Sequence, residues 1–517
     1  MRIVPLMPSI VAVVAVTVMA VAGWAWLGRA VPLPDVPGGK LDCLSYTAAY
    51  EGASPLDADF APPPSLVKAD MARIAKIATC IRTYASYGPQ GDAVGFAASA
   101  GLKVYVGAWI GDNDADNEKE IGRAIELAEA HPDAVRGIVV GNEVLLRREM
   151  TGARLARIIE SVKARTELPV TYADIFAFWD RNPDVAVAVD FLMVHVLPYW
   201  DDPTPVSVHD VQARVREVVD KARSRFPDRD IRIGEIGWPS AGRTRGLAVP
   251  NLINEARFIR EFVRQADDIG LPYNIIEAVD QPWKRLPEGT VGGYWGILDF
   301  ARTPKFPLTG PVSERPDWKW AAGFAALGAL VAAAYGRRRT FSGALIAALA
   351  GGGGASLLWA FWQQGLTLAQ GPLALVWIVY LCVLTVVAAG ILARGISGDV
   401  IAFRWAVLLP AVLVALGLAL DGRHRDFLTL AFVLPAIAAV SAGPLRSAQK
   451  TGLAWIGFAL AVAAPFAVDH IGNWEALAWA ACSLVLAWPL RFAMAEELAR
   501  LRYALRKRQY GYDASGD

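Results

Sequence analysis

The chain has 517 residues, a hydrophobic fraction of 54% and a formal net charge of +1 at pH 7. It is longer than one ordinary domain and more apolar than the usual globular fraction of about 45–50%, so part of it is expected to lie in lipid. A balanced charge with no basic stripe argues against a nucleic-acid partner. We therefore expect neutral or lipidic partners.

The first apolar run extends from Ile3 to Leu27 and carries no charge after Arg2. It is longer than the apolar part of a cleaved signal peptide and long enough to cross a bilayer. Residues 1–30 are therefore predicted to be a retained transmembrane anchor. A signal peptide cut near Gly28-Arg29-Ala30 is the alternative, and either possibility exports the segment that follows.

Residues 31–316 have the composition of a soluble domain in which short β-rich runs alternate with helix-length segments of 3.6-residue periodicity. Eight such repeats predict a (β/α)8 TIM barrel. A doubly wound sheet is the alternative, but no Gly-rich phosphate loop follows the first strand to support it. The predicted strands are Leu41–Tyr46, Ile81–Tyr84, Val104–Gly107, Gly137–Gly141, Val170–Ala173, Phe191–Val196, Ile231–Gly234 and Asn274–Val279.

Two of these strands are followed by a glutamate, within two residues of the strand end. Glu143 follows the fourth strand and Glu235 follows the seventh. In such barrels chemistry lies at the C-terminal ends of the strands, so both carboxylates are expected at one mouth. Cleaving a glycosidic bond with retention needs one protonated and one ionised carboxyl, about 5–5.5 Å apart. We predict Glu143 as the acid/base, Glu235 as the nucleophile, and Asn142 as the partner of the sugar 2-hydroxyl; isolated surface charges are the alternative.

Further polar and aromatic side chains lie at the ends of the other strands. Aromatic faces pack against pyranose rings, although some of these rings are expected to fill the top layer of the barrel instead. Trp238 and Trp283 are the preferred substrate platforms. The predicted substrate-binding set is Tyr46, Arg82, Tyr84, Asn142, Tyr199, Trp200, Trp238, Glu277, Asp280, Trp283, Lys284 and Trp295.

Two of these residues, Arg82 and Lys284, are predicted to pair with Glu235 or Glu277 and to keep the nucleophile ionised. A purely structural ion pair is the alternative.

The histidines of this domain do not show metal-ligand spacing, so no metal and no cofactor are predicted. His131 and His209 are scattered, and His195, within the sixth predicted strand, is interpreted as a core residue rather than a residue of the mouth.

Cys43 and Cys80 lie in the exported domain, at the start of the first two predicted strands. An oxidising compartment allows a disulfide, and neighbouring strands bring two such residues within bridging range. We predict a Cys43–Cys80 disulfide; two buried free thiols are the alternative.

From about residue 40 to 308 the chain resembles glycoside hydrolase family 17, retaining β-1,3-glucan-active (β/α)8 enzymes. The resemblance implies Glu143 as proton donor, Glu235 as nucleophile, and a Gly293–Gly296 segment that closes the barrel near the substrate. Many relatives carry an acidic residue where Gln281 stands, and the loss of this charge predicts an altered subsite preference. The matching stretches are Ile81–Tyr84, Val140–Glu143, Pro198-Tyr199, Gly234–Ser240 and Glu277–Lys284.

Residues 317–493 are predicted to be an all-α transmembrane bundle of about seven helices, followed by a cytoplasmic basic tail, 494–517. Lys and Arg fall on alternate loops, around Arg337–Arg339, Arg394 with Arg404, Arg446 with Lys450, and Arg500–Arg508. This bias places both termini in the cytoplasm and the barrel in the periplasm of a bacterial inner membrane. The spans are Trp318–Tyr335, Phe341–Phe361, Pro372–Leu392, Ile401–Leu420, Phe427–Ala442, Leu453–Val468 and Ala476–Ala493.

Together these patterns predict a membrane-bound glucanosyltransferase that branches, elongates or cyclises β-glucan through a covalent glucosyl-enzyme. An endo- or exo-hydrolase using the same intermediate is the first alternative. A non-catalytic glucan-binding subunit of a synthase complex is the second. The bundle is expected to contact lipid and to dock a glucan synthase or hold the barrel beside a glucan exit, with simple anchoring as the alternative.

Overall fold

A computed structural model describes residues 6–57, 59–201, 205–336, 340–368, 373–398, 400–420, 426–445 and 450–510. The chain divides into two compact units. One unit is Ala30–Val312, and the other combines Met1–Arg29 with Ser313–Asp517. Each unit is described separately.

Eight parallel strands of the first unit close into a barrel in the order β1 to β8. The circle closes where β8 pairs with β1, with Cys43 opposite Asn274 and Leu44 opposite Ile275. This closure confirms the predicted TIM barrel and excludes the doubly wound sheet, whose edges stay open. The strands are β1 (Leu41–Ser45), β2 (Ala78–Arg82), β3 (Lys103–Ala108), β4 (Val135–Asn142), β5 (Val170–Ile175), β6 (Phe191–Val196), β7 (Asp230–Ile236) and β8 (Tyr273–Ile275).

The helices are numbered along the whole chain, and those between the strands pack around the barrel. They are α1 (Leu6–Leu27), α2 (Pro64–Ile77), α3 (Asp92–Ser99), α4 (Asp114–Ala130), α5 (Gly152–Lys163), α6 (Phe176–Arg181), α7 (Pro183–Ala188), α8 (Val211–Arg225), α9 (Leu252–Asp268), α10 (Arg285–Glu288), α11 (Trp318–Gly336), α12 (Phe341–Leu368), α13 (Ala374–Arg394), α14 (Ile401–Leu420), α15 (Thr429–Ser441), α16 (Lys450–Ala463), α17 (Trp474–Ala487) and α18 (Arg491–Tyr510).

The inner face of the barrel carries the predicted disulfide. Cys43 and Cys80 are direct register partners on β1 and β2, are fully buried, and are bonded to each other. They belong to a small buried cluster distinct from the larger core beneath the helices. Arg82 lies two residues after Cys80 on the same face of β2, so the top of this inner face leads directly into the candidate site.

In the second unit the first helix is part of the helical core. Val16 of α1 packs so closely on α12 that a Cβ at Gly352 would lie 2.7 Å from its Cγ1. Near the end of α1, Trp24 Nε1 donates to Ser356 Oγ of α12 at 3.1 Å. Small residues at such crossings let apolar helices approach closely. α1 therefore packs as a member of the bundle.

Among the described residues, six helical stretches are long and apolar enough to cross a membrane: Met7–Leu27, Trp318–Gly336, Phe341–Gly365, Ala374–Arg394, Ile401–Leu420 and Trp474–Arg506. Two of the eight predicted spans fall instead on the shorter apolar helices Thr429–Ser441 and Thr451–Ala467. At about 1.5 Å per residue, such helices are shorter than the hydrocarbon core of about 30 Å. The number of crossings thus remains a prediction.

Part of the charge bias that orients the predicted spans falls outside the described residues. This applies to Arg337–Arg339 and Arg446. The basic C-terminal segment begins inside α18, which continues to Tyr510.

Candidate active site

The two glutamates singled out in the sequence meet at the C-terminal ends of β4 and β7. Glu235 is the second-last residue of β7 and is 4% exposed, whereas Glu143 directly follows β4 and is half-buried. One carboxylate oxygen of each lies within 4.8 Å of the other and of a ring nitrogen of His195. This separation fits the short spacing of a retaining pair, because an inverting pair is about 6.5–9.5 Å apart.

The carboxylate of Glu235 is held by donors from β2, its following loop and β6. Tyr84 Oη donates to Oε1 at 2.8 Å, and Arg82 Nη1 lies 3.3 Å from the same oxygen. His195 Nε2 is 3.7 Å away. Burial raises the pKa of the Glu235 carboxyl, but the Arg82 guanidinium, the Tyr84 hydroxyl and the Lys284 ammonium outweigh it and hold that pKa below its ordinary value. Glu235 is therefore ionised at neutral pH.

Glu143 has the opposite protonation state. Burial raises the pKa of its carboxyl to about 8, helped by the negative charges of Glu235 and Asp174. Arg147 and Arg82 oppose this shift without cancelling it. At neutral pH the pair thus holds one proton on Glu143 and one negative charge on Glu235, which is the division of roles that retaining cleavage requires.

Asn142 is oriented by two donors. Arg82 Nη2 donates to its Oδ1 at 2.6 Å, and His195 Nε2 lies 3.1 Å from the same oxygen. Because Arg82 can only donate, the atom facing it is the amide oxygen. His195 must then donate from Nε2, and burial lowers the pKa of its ring to about 4, so the imidazole is neutral. The Asn142 Nδ2 group is left available for a sugar hydroxyl.

His195 therefore belongs to the site, contrary to its interpretation as a core residue. It is fully buried, as a core residue would be, but its Nε2 contacts Asn142 and approaches Glu235. Its ring packs against β7 at Gly234, where a Cβ would lie 2.9 Å from Nδ1. The glycine of the Gly234-Glu235 pair thus makes room for the imidazole.

Lys284 pairs with Glu277 rather than with the nucleophile. Its Nζ lies 3.0 Å from both carboxylate oxygens of Glu277, which is 1% exposed. Burial raises the pKa of Glu277 to about 7, and Lys284 opposes that rise. Arg82 and Lys284 were predicted to pair with Glu235 or Glu277, and the structure pairs Arg82 with Glu235 and Lys284 with Glu277.

Trp238 was expected to be a substrate platform, and the structure contradicts this. The side chain is 0% exposed, its ring stacks 5.7 Å from Phe258 of α9, and Nε1 donates to Val249 O at 3.1 Å. β7 ends at Ile236, so Trp238 turns outward beneath α9 instead of into the mouth. Trp238 belongs to the core of the barrel.

Trp283 is half-buried and remains a candidate platform. Its Nε1 donates to Gln281 Oε1 at 2.9 Å, while Gln281 Nε2 donates to Thr47 O at 2.8 Å. Gln281 is itself 1% exposed. The Gln281 amide therefore orients the Trp283 ring. In this arrangement the amide does not face an acceptor sugar directly.

Two further predicted contacts are engaged elsewhere. Tyr46 is buried and its hydroxyl donates to Asp70 Oδ2 of α2 at 3.1 Å. Asp280 is 3.1 Å from Lys305 Nζ, which also lies 2.9 Å from Glu255 of α9. Both arrangements are buried structural pairs. The prediction that Tyr46 and Asp280 bind substrate was therefore wrong, because both side chains support the fold instead.

An aromatic stack borders the site on the side of β6. Trp200 is half-buried and lies parallel to Trp295 at 6.3 Å, and Tyr199 packs edge-on against both rings. Tyr199 and Trp295 are 0% and 3% exposed, so they support the stack from within. Of these three predicted residues, Trp200 alone has the exposure that a sugar contact needs.

Sequence reasoning missed two residues that complete the site. Ser45 Oγ lies 2.9 Å from Tyr84 Oη, and Arg147 donates to the carbonyl oxygens of Asn142 and Ile110. Ser45 is the last residue of β1, so its position at a strand end was the available signal. Arg147 lies in the turn after β4, and no pattern in the sequence marks it.

Glu143, His195 and Glu235 also form a geometric set that could hold a metal ion. Arg82 and Tyr84 already occupy the Oε1 atom of Glu235. Retaining glycoside chemistry uses the two carboxylates without a metal. The absence of a metal therefore stays a prediction from the sequence.

Residues 49–296, from the loop after β1 to the loop after β8, match the family described as the BtgE/BtgC glycoside hydrolase domain. The chain is 28% identical over 256 residues to the Glucan 1,3-beta-glucosidase of Arthroderma benhamiae, covering 46% of this chain and 82% of that protein. It is 26% identical over 283 residues to the Putative glucan endo-1,3-beta-glucosidase btgC of Aspergillus niger, covering 48% of this chain and 41% of that protein. The chain thus spans about two fifths of the Aspergillus relative.

Among solved structures, the barrel is similar to an active-site mutant of Rhizomucor miehei beta-1,3-glucanosyltransferase in complex with laminaritriose, with 23% identity and a TM-score of 0.45. That match covers 52% of this chain and 98% of the other. An endo-laminarinase from Formosa matches with 22% identity and a TM-score of 0.43, over 51% of this chain and 84% of the other.

Proposed function

We propose that the barrel, a glycoside hydrolase domain of the BtgE/BtgC type, cleaves β-1,3-glucan with retention and transfers the glucosyl unit to a sugar acceptor. The observation that carries this proposal is the placement of a protonated Glu143 and an ionised Glu235 within 4.8 Å at the ends of β4 and β7. The names of the curated relatives support β-1,3-glucan as the substrate.

In the first step Glu235 attacks the anomeric carbon while Glu143 gives its proton to the departing glycosidic oxygen. The bond to the leaving sugar breaks and a covalent glucosyl-enzyme forms on Glu235. Arg82 and Tyr84 hold the Glu235 carboxylate in place through its Oε1 atom, and Asn142 Nδ2 is available to the 2-hydroxyl as charge develops on the ring.

In the second step Glu143, now ionised, takes a proton from the acceptor. The acceptor oxygen attacks the anomeric carbon and releases Glu235, so two inversions give net retention. A sugar hydroxyl as acceptor makes a transferase, and water makes a hydrolase. We favour transfer because the described residues include six helices long and apolar enough to cross a membrane. Tethering at a membrane suits building a polymer better than degrading one.

For the second unit we propose a bacterial inner-membrane bundle with the barrel in the periplasm and α1 retained. The packing of Val16 on Gly352 and of Trp24 on Ser356 supports retention, because cleavage after α1 would expose this face of α12. Recovery of α1 in protein purified from membranes, by peptide mass mapping, is the expected result. Loss of residues before Gly28 would contradict it. Docking of a glucan synthase onto the bundle is the further role proposed for it.

The decisive experiment incubates the detergent-purified full chain with laminari-oligosaccharides of one defined length. Products longer than the substrate indicate transfer, and exclusively shorter products indicate hydrolysis. Linkage analysis separates branching from elongation, and the anomeric configuration of the first product measures retention. Glu235→Gln is the matched control, and it should abolish all products. Unchanged substrate with the wild-type chain would support the non-catalytic subunit instead.

A further inference from the structure

The turn that carries Glu143 has an unfavourable backbone. Glu143 has φ +53° and Arg148 has φ +61°, both in the left-handed region that non-glycine residues rarely adopt. Such residues are strained and persist only where the surrounding structure fixes them. The contacts that hold residues 143–148 therefore also hold the acid/base.

Two buried residues of β5 supply these contacts. Tyr172 Oη accepts from Leu145 N at 3.0 Å and donates to Asp174 Oδ2. Asp174 accepts from the backbone N–H groups of Ile175, at 2.7 Å, and of Leu146. Tyr172 and Asp174 are both 0% exposed. Asp174 thus ties the turn to the end of β5 directly and through Tyr172.

Asp174 is also one of the charges that Glu143 meets. The groups around Glu143 are Glu235 of β7, Asp174 of β5, Arg82 of β2, Arg147 of its own turn and His195 of β6. Of the two carboxylates among these groups, Glu235 is the nucleophile, whereas Asp174 takes no part in the proposed reaction. Burial raises its pKa to about 6, so it is ionised where Glu143 loses its proton. A fixed negative charge beside a carboxyl favours the protonated form.

We infer that Asp174 is a positioning residue for the acid/base: it fixes the turn that carries Glu143 and adds a negative charge to its surroundings. This inference rests on the proposed function of Glu143. It assigns a role to β5, a strand that carries no residue of the predicted site.

The test uses the purified full chain and aryl β-glycosides of laminari-oligosaccharides as donors, and activity of the wild type is established first. If the wild type cleaves no donor, the proposed function fails. With an active wild type, Asp174→Asn should move the alkaline limb of kcat/KM to lower pH by roughly one unit, because a like charge has been removed. Asp174→Glu keeps the charge and should restore the limb. An alkaline limb unmoved in Asp174→Asn would overturn the inference.

A second variant separates positioning from general stability. Tyr172→Phe removes the hydroxyl that holds Leu145 and keeps the charge of Asp174. It should slow donors with poor leaving groups, which need the proton of Glu143, more than dinitrophenyl donors, which need little protonation. An equal loss on both donors would show a merely structural role. This comparison also decides the question if Asp174→Asn does not accumulate as folded protein.

Discussion

Arg82 Nη2 and Asn142 Oδ1 are joined by a hydrogen bond of 2.6 Å that crosses the inside of the barrel from β2 to β4. The same guanidinium lies 3.3 Å from Glu235 through Nη1. One buried cation therefore fixes both the nucleophile and the amide that is expected to bind the sugar 2-hydroxyl. The orientation of Asn142 follows from the chemistry of Arg82, which has no acceptor atom.

Asn142→Ala should lower kcat/KM on glucosyl donors by about 10²-fold, the usual cost of losing one donor that acts in the transition state. A 2-deoxyglucosyl donor lacks the hydroxyl that Asn142 Nδ2 is expected to bind. Wild type and variant should therefore differ little on that donor. Initial rates of both proteins on both donors measure the coupling between Asn142 and the 2-hydroxyl. An equal loss of kcat/KM on the two donors would disprove the contact between them.

The activity of the wild type should depend on pH with a bell shape. Cleavage needs Glu143 protonated, and the pKa of Glu143 is about 8, so kcat/KM should fall as pH rises through this value. It also needs Glu235 ionised, and the lowered pKa of Glu235 places the acidic limb below its ordinary value of 4.5. Glu143→Gln on a dinitrophenyl donor is the control, and it should show no alkaline limb near pH 8.

Trp238 and Trp283 should respond differently to truncation. Trp238→Ala empties a fully buried site and should cost about 3–5 kcal/mol of unfolding free energy. Trp283→Ala should leave stability nearly unchanged and raise KM, because this half-buried ring is the remaining platform candidate. Thermal inactivation midpoints and Michaelis curves of both variants distinguish the roles. A raised KM for folded Trp238→Ala would restore the platform interpretation.

Lys305→Met should destabilise the barrel by about 3–5 kcal/mol at pH 8, since it strands the buried carboxylates of Glu255 and Asp280. Burial raises the pKa of Glu255 to about 8 and that of Asp280 to about 6. Both therefore bind protons more tightly folded than unfolded, and the penalty should shrink as pH falls through these values. Inactivation midpoints at pH 5 and 8 measure this.

The matched control for Lys305 is Lys119→Met. Lys119 pairs with Asp116 at 2.8 Å, but both side chains are more than half exposed. Such exposed pairs contribute little to stability, so the control should move the inactivation midpoint little at either pH. If Lys305→Met lowered the inactivation midpoint equally at both pH values, the loss of stability would not come from unpaired carboxylates at Glu255 and Asp280.

The strand count, the disulfide and the meeting of Glu143 with Glu235 followed from patterns in the sequence. Period-2 runs and strand ends encode these features because parallel strands in a barrel present their last residues at one mouth. His195 and Trp238 were misjudged for a related reason. The alternation of apolar residues along a strand does not show whether a side chain near the mouth of the barrel points into the site or into the core. Tertiary packing determines this direction, through the contact of His195 with Gly234 and of Trp238 with Phe258.

The sequence predicted the second unit less well than the barrel. Apolar runs predicted its helices, but a run of apolar residues does not state how much of it is helical or which face packs. α15 and α16 are 13 and 14 residues long, shorter than the runs that predicted them. The contact of α1 with Gly352 depends on tertiary packing that no local pattern records.

The Cys43–Cys80 bond sets an order of events in the making of this protein. Both sulfurs are sealed inside the barrel, with 0% exposure. Thiol–disulfide exchange needs a second thiolate or oxidant to reach a sulfur, and the closed barrel leaves no such approach. Oxidation must therefore happen while β1 and β2 are still open to solvent, before β8 seals the ring. A chain that closes its barrel first would keep both thiols reduced and out of reach of any oxidase.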